Sequence, residues 1–337
     1  MIHELKRIVQ AYLIAKQRKT KTVLATVVAL QGSSYRRPGV RMLIHENGDA
    51  IGAVSGGCVE KEVIRQSQSV FQNSLPKMMT YDGRYRLGCE GILYILIEPF
   101  EPNESFILAF EKNIRNRQGI SITSYYSKTE GTDISYGSVF KMNQNSYYIR
   151  DVFAINNKLN IFSEELPPCF KLLIIGAEHD AVQLSNYAAL TGWEVTVVAT
   201  SSEEKSLSDF PGAQELLCIE PESLSINEID DQTAVLLMTH SYVKDLKYLL
   251  RVMKSRPPYL GILGPAKRRE KLLGDLIERH PEIDDTFFEG IYGPAGLNIG
   301  AETAQEITIA ILAEILAVIR KRKPIMLKHK SSSIHSP

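Results

Sequence analysis

Between Gly32 and Arg41 the chain places three arginines, Arg36, Arg37 and Arg41, and the hydroxyls of Ser33 and Ser34 within ten positions, with Gly39 beside them. Guanidinium forks bind anionic oxygens bidentately, and glycines let backbone approach a ligand, so the run suits an anion such as a phosphate. Taken alone, it also reads as a surface turn with solvated charge. A second segment shifts that balance. Ser55-Gly56-Gly57-Cys58-Val59-Glu60 ends a strand and opens a helix. A cysteine at a helix N-terminus feels the positive end of the dipole, which favours the thiolate. The alternative is a small buried cysteine, the usual fate of a free thiol. The two glycines before it argue for close approach of something to the backbone. Cys89, in Leu87-Gly88-Cys89-Glu90-Gly91, repeats the pairing of glycine and cysteine. A soft sulfur donor beside an anion-binding loop fits a metal-bearing, phosphorylated ligand.

A second constellation lies after residue 170. Gly176-Ala177-Glu178-His179-Asp180-Ala181 follows an apolar strand and occupies the place of the dinucleotide fingerprint G-x-G-x-x-G/A. Gly176 permits the tight turn, and Ala181 can replace the third glycine. Glu178 stands where the second glycine should let backbone meet pyrophosphate, and a carboxylate there repels it. The acidic residue that would hold a ribose is also missing, because the next strand ends Val198-Ala199-Thr200. The fold signal is therefore strong, and NAD(P) is not the expected ligand. His179 follows the first strand of this half and His240 the fourth, so both are expected to flank the crevice at the topological switch point. Turn or cap roles are the plain alternative for each. Gly264-Pro265-Ala266-Lys267-Arg268-Arg269 opens a basic helix that reads either as a phosphate site or as a solvated turn.

The elements that must position these residues fall into two patterns. The first half predicts a helix over 3–19, strands over 22–30, 41–45 and 50–54, and a helix over 58–72. Strands at 78–82, 91–98, 120–126, 136–142 and 146–149 follow, with a helix near 103–117, giving an α+β domain. Pro167-Pro168 marks a seam. Strands at 171–175, 194–199, 215–219, 233–238 and 259–263 then alternate with helices, as a doubly wound parallel sheet requires. The last helix is announced by the capping box Thr303-Ala304-Gln305-Glu306 and stopped by Pro324. The expected division is an N-terminal α+β domain over 1–166, a Rossmann-like α/β domain over 167–324 and a disordered tail over 325–337. The apolar final helix is open to burial against its own domain or in a homodimer.

Bulk properties exclude several classes. Lys+Arg and Asp+Glu both number 39 in 337 residues, for zero formal net charge, which argues against a general nucleic-acid binder. The four cysteines, Cys58, Cys89, Cys169 and Cys218, are too dispersed for a zinc finger or a disulfide scaffold. The first residues carry charge where a signal peptide needs an apolar run, and the apolar stretch 307–319 is too short to span a membrane. A cytoplasmic protein is the expectation.

Two runs, Gly32-Ser-Ser-Tyr-Arg-Arg-Pro-Gly-Val-Arg-Met-Leu43 and Gly52-Ala-Val-Ser-Gly-Gly-Cys-Val-Glu60, resemble the N-terminal signature of the XdhC/CoxI family of xanthine dehydrogenase accessory factors. Gly176–Ala181, Met238-Thr-His240, Gly261-Ile-Leu-Gly264 and Gly293–Thr303 resemble the same family's Rossmann domain, in the family's order. The resemblance implies binding of molybdenum cofactor, a molybdopterin with a phosphate tail. It implies protection of that cofactor while an oxo ligand is exchanged for sulfur, with a cysteine desulfurase as sulfur source. Delivery to xanthine dehydrogenase or a related molybdenum hydroxylase would follow. On that reading Arg36, Arg37 and Arg41 hold the phosphate or pterin and Cys58 lies near molybdenum, with Ser33, Ser34, Ser55, Gly56, Gly57, Glu60, Cys89, Gly176, His179 and His240 completing the candidate set. Such a protein is an accessory factor and not itself an enzyme. A nicotinamide-dependent oxidoreductase, or a component of xanthine dehydrogenase itself, is the alternative. The chain departs from the family at Glu178 and Glu90, where glycine is usual, and at Thr200, where an acid is usual. It departs again at Ser241 and Tyr242, where Asp and His commonly follow the His240 position. The changes at Glu178 and Thr200 weaken nucleotide binding; those after His240 weaken any metal site on that loop.

Overall fold

A computed structural model describes residues 1–32, 36–57, 59–85, 91–151 and 153–330. The chain divides into two compact units, Met1–Pro168 and Cys169–Pro337.

The first unit opens with α1 (Ile2–Gln17), which buries Ile2, Leu5, Ile8, Val9 and Tyr12 along one helical stripe. Then come β1 (Thr22–Gln31), β2 (Arg41–His45), β3 (Ala50–Gly52), α2 (Glu60–Asn73), β4 (Lys77–Asp82), β5 (Ile92–Pro99) and α3 (Glu104–Arg115). The Asn103 side chain caps α3 by accepting the Phe106 amide at 3.0 Å. β6 (Ile120–Tyr126), β7 (Gly131–Thr132), β8 (Gly137–Met142), β9 (Asn145–Tyr148) and β10 (Asn160–Leu166) complete the unit. Two antiparallel sheets result, ordered β3-β2-β1-β5-β4-β7 and β10-β6-β8-β9. The valine- and isoleucine-rich β1 and β5 are central to the first, and Val23, Ala25, Val27, Met42, Ile44, Ile95 and Ile97 pack with Val63 and Phe71 of α2. β10 lies beyond the strands expected from sequence. Its residues are mostly exposed or half-exposed, so no apolar alternation announces it, and register against β6 (Leu166 opposite Ile120, Asn160 opposite Tyr126) defines it instead.

The second unit contains β11 (Lys171–Ile175), α4 (His179–Leu190), β12 (Glu194–Ala199), β13 (Glu215–Cys218), β14 (Thr233–Leu237), α5 (Tyr242–Val252), β15 (Tyr259–Ile262), α6 (Ala266–Arg279), α7 (Asp285–Glu289), β16 (Ile291–Tyr292) and α8 (Ala304–Ile319). All six strands are parallel, in the order β13-β12-β11-β14-β15-β16, which is the doubly wound order with its reversal between β11 and β14. The continuous apolar runs of β11 and β14 are buried throughout, because helices cover both faces. One face packs Ala181, Leu184 and Ala188 of α4 with Ile311, Leu312 and Ile315 of α8. The other packs Leu246, Leu249 and Val252 of α5 with Leu272 and Leu276 of α6. The Thr303–Glu306 capping box forms at α8, with Glu306 accepting the Thr303 amide at 3.0 Å and Thr303 Oγ1 accepting that of Glu306 at 3.3 Å. The tail expected over 325–337 begins with a short turn of helix at Leu327–His329, and residues 331–337 lie outside the described residues. No described helix is long and apolar enough to cross a membrane.

Candidate functional site

In the first sheet, strand register brings the signature segments to one end. β1 runs out at Gln31 opposite Ile92, the first residue of β5. β2 begins at Arg41, and Met42 faces Gly52, the last residue of β3. Asp82, where β4 ends, also faces Ile92. Three connections, 32–40, 53–59 and 83–91, therefore leave the same end of the sheet. The Gly83 amide donates to the Gly91 carbonyl at 3.0 Å, closing the base of the third. Arg36 ties the first to the second: its Nη1 lies 3.4 Å from the Ala53 carbonyl oxygen and 3.9 Å from the Glu4 carboxylate. Arg37 is exposed beside it.

The start of α2 is self-organised. Glu60 accepts the Ser55 amide and the Ser55 hydroxyl, both at 2.8 Å, while Ser55 Oγ accepts the amides of Gly57 (3.2 Å) and Val59 (3.3 Å). Burial opposes ionisation of Glu60, but the hydrogen bonds from Ser55 outweigh it and hold this carboxyl below the usual range. Ser55 and Glu60 thus fix the turn. Between them Gly56 and Gly57 are exposed, and a Cβ on either would meet no described residue within 4 Å. Gly57 needs its glycine for a φ of +120°; Gly56 has no such requirement. Ser33, Ser34, Cys58 and Cys89 lie outside the described residues.

Arg41, expected to face an anion, is instead buried at 5% exposure. Its Nη1 donates to the Gly39 carbonyl at 2.9 Å, and its Nη2 pairs with Glu164 of β10. An anion would have to displace an internal carboxylate to reach it, whereas Arg36 is half-buried and Arg37 exposed. Sequence reasoning did not find Glu164, because the partners are 123 residues apart and the strand carrying Glu164 has no apolar pattern. It also passed over Glu98 of β5. This wholly buried carboxyl accepts the Ser138 amide (3.0 Å) and hydroxyl (2.6 Å), and burial pushes its pKa up against the opposing fields of Arg150 and Arg41.

In the second unit, β11 and β14 are hydrogen-bonded neighbours, so the turns carrying His179 and His240 start side by side, and both histidines are exposed. Gly176 makes the tight turn that its motif announces, and its missing side chain is needed for packing as well. Its φ is +135°, and a Cβ would fall 2.4 Å from the Met238 carbonyl oxygen. The bare Cα therefore faces the chain's own β14 turn. Asp245, wholly buried on α5, holds that turn by accepting the Thr239 hydroxyl (2.6 Å), the Thr239 amide (3.2 Å) and Arg268 Nη2 (2.6 Å). At the end of β12, where a ribose would be held, Lys244 Nζ donates to Thr200 Oγ1 at 2.9 Å and to Glu203 at 3.0 Å. Arg268 is thus tied to Asp245 at the start of α6. No group of metal-ligating His, Cys, Asp and Glu side chains forms among the described residues.

Comparison with known proteins adds a second line. Residues 172–315 match the XdhC Rossmann domain, and residues 15–82 match the XdhC and CoxI family. The chain is similar to a probable xanthine dehydrogenase subunit of Bacillus subtilis, at 29% identity over 91% of this chain and 95% of that one. It is 24% identical to the molybdenum cofactor insertion chaperone PaoD of Escherichia coli, over 88% of this chain and 83% of the relative. The crystal structure of a xanthine dehydrogenase from Bacillus halodurans superposes with a TM-score of 0.77 at 25% identity, covering 96% of this chain and 98% of that one.

Proposed function

Since the chain belongs to the XdhC/CoxI family of xanthine dehydrogenase accessory factors, we propose that it is a cytoplasmic carrier that binds molybdenum cofactor as cargo at the first unit's signature loops. It shelters the cofactor while a cysteine desulfurase supplies sulfur, then delivers it to xanthine dehydrogenase or a related molybdenum hydroxylase. The observation that carries the reading is the emergence of both signature connections, with the Cys89-bearing connection, at one end of one sheet. The similarity to a cofactor insertion chaperone supports it.

The described residues fit the anionic part of such a cargo. Arg36 and Arg37 supply cations, and the bare backbone at Gly56 and Gly57 leaves room that no described side chain fills. Ser55 and Glu60 hold the turn from behind rather than contacting the cargo. Cys58, next to those glycines in sequence, is the proposed neighbour of molybdenum. The Rossmann unit has a different task in this account: Glu178 stands where pyrophosphate needs a glycine, and Lys244 occupies the ribose position with Thr200 and Glu203, so it is a folding element rather than a nucleotide site.

Anaerobic mixing with isolated cofactor, desalting, and measurement of molybdenum and pterin per chain tests the reading. Near-stoichiometric retention by the wild type that falls in Cys58→Ser and in Arg36→Ala/Arg37→Ala supports the carrier. A folded wild type that retains neither molybdenum nor pterin sinks it. The name of the Bacillus subtilis relative favours a second arrangement, in which the chain stays bound within its target enzyme. Co-elution with the mature hydroxylase after loading distinguishes the two.

A further inference from the structure

The pairing of Arg41 with Glu164 reaches beyond local folding, because it pins the loop on which the carrier reading depends. Gly39 has a φ of +100°, and a Cβ there would fall 2.6 Å from Glu164 Oε2. The loop backbone thus lies directly on the carboxylate, and a glycine at position 39 is what lets the carboxylate in. Arg41 grips the same residue from the other side, donating to the Gly39 carbonyl at 2.9 Å. The end of the loop is stitched to β1: the Gly39 amide donates to the Val27 carbonyl at 2.8 Å, and the Val27 amide donates to the Val40 carbonyl at 3.1 Å. Glu164 belongs to the other sheet, where it pairs with Ile122 of β6. A buried guanidinium keeps its geometry only while its charge is matched, so the carboxylate governs where Arg41 sits and where the loop ends.

We propose that Glu164 is a positioning residue for cargo binding: through Arg41 and Gly39 it sets the path of residues 36–40, and with it the presentation of Arg36 and Arg37, without touching the cargo itself. This rests on the carrier reading for its consequence, but the clamp has its own readout. Hydrogen exchange on the whole protein reports the Gly39 amide directly, whatever the ligand. The variants are Glu164→Gln, which leaves Arg41 unmatched, and Arg41→Met/Glu164→Met, which replaces the pair by apolar groups of similar reach and guards against simple misfolding. Both are expected to exchange faster across 36–40 than the wild type, while the β1–β5 amides stay protected. Both are also expected to retain molybdenum cofactor at least about tenfold more weakly, the scale on which outer-shell partners act. Unchanged exchange at 36–40 in the folded double variant overturns the clamp. Faster exchange with wild-type retention overturns the positioning role. If the wild type itself retains no cofactor, the carrier reading fails, while the exchange comparison still decides the clamp.

Discussion

Two glycine turns end strands in this protein, and they treat the space beside them in opposite ways. At Gly176 the missing side chain is used up internally, since the Met238 carbonyl sits where a Cβ would be. At Gly56 and Gly57 it is not used by any described residue, since none brings an atom within 4 Å of either Cβ position. The first turn belongs to the segment that most resembles a nucleotide motif, the second to a segment with no phosphate fingerprint. A glycine motif therefore marks close approach, and only packing tells whether the approaching group is the protein's own backbone or something from outside.

The contrast makes its largest prediction at stability. Gly176→Ala must adopt a positive φ and also push against a backbone carbonyl, so unfolding free energy should fall by about 3 kcal/mol or more. Gly56→Ala should change it by less than about 0.5 kcal/mol. Equal costs in denaturant titrations would erase the distinction. The Rossmann turn is further locked by Asp245, and Asp245→Ala strands Arg268 and the Thr239 amide together. Arg268 is partly exposed, which places the expected loss near the lower end for such pairs, about 3 kcal/mol. A neutral result would mean the turn is held by packing alone.

Smaller effects concern the first unit. Glu98 binds its proton more tightly in the folded than in the unfolded chain, because burial disfavours its anion. Its contribution is thus fully present below the usual carboxylate range and is lost as pH rises through the folded value. Glu98→Gln should flatten that decline with rising pH in a series of melting curves, and parallel wild-type and variant curves would refute the account. Ser55→Ala removes donor and acceptor from the α2 turn and should cost about 1 kcal/mol. Glu60 has the opposite sign: its depressed value stabilises above the usual carboxylate range and fades as pH falls. The Ser55→Ala variant should therefore lose less stability on acidification than the wild type.

The two units also differ in what their sequences reveal. The buried parallel strands were legible because Lys171–Ile175 and Thr233–Leu237 are unbroken apolar runs between turn residues. The α8 cap was legible because its reciprocal bonds join residues three apart. β10 was not, since a strand with few buried side chains carries no alternation and is defined by its partner. The Arg41–Glu164 pair was illegible for the same reason: charge and spacing suggested a ligand for Arg41, and the partner that the structure gives it lies far along the chain. Likewise Gly176 could be recognised as a tight turn from its neighbours, but its Met238 contact comes from sheet topology.

The central claim is that the cargo is held at the bare turn of the first unit and not at the Rossmann crevice. The most direct test is cofactor retention by two folded variants measured side by side, Gly56→Val and His179→Ala/His240→Asn. Asparagine suits the left-handed backbone of His240, whose φ is +55°. The account predicts that Gly56→Val loses molybdenum and pterin while the histidine variant keeps both. Retention by Gly56→Val with loss from the histidine variant would contradict it and move the site to the second unit.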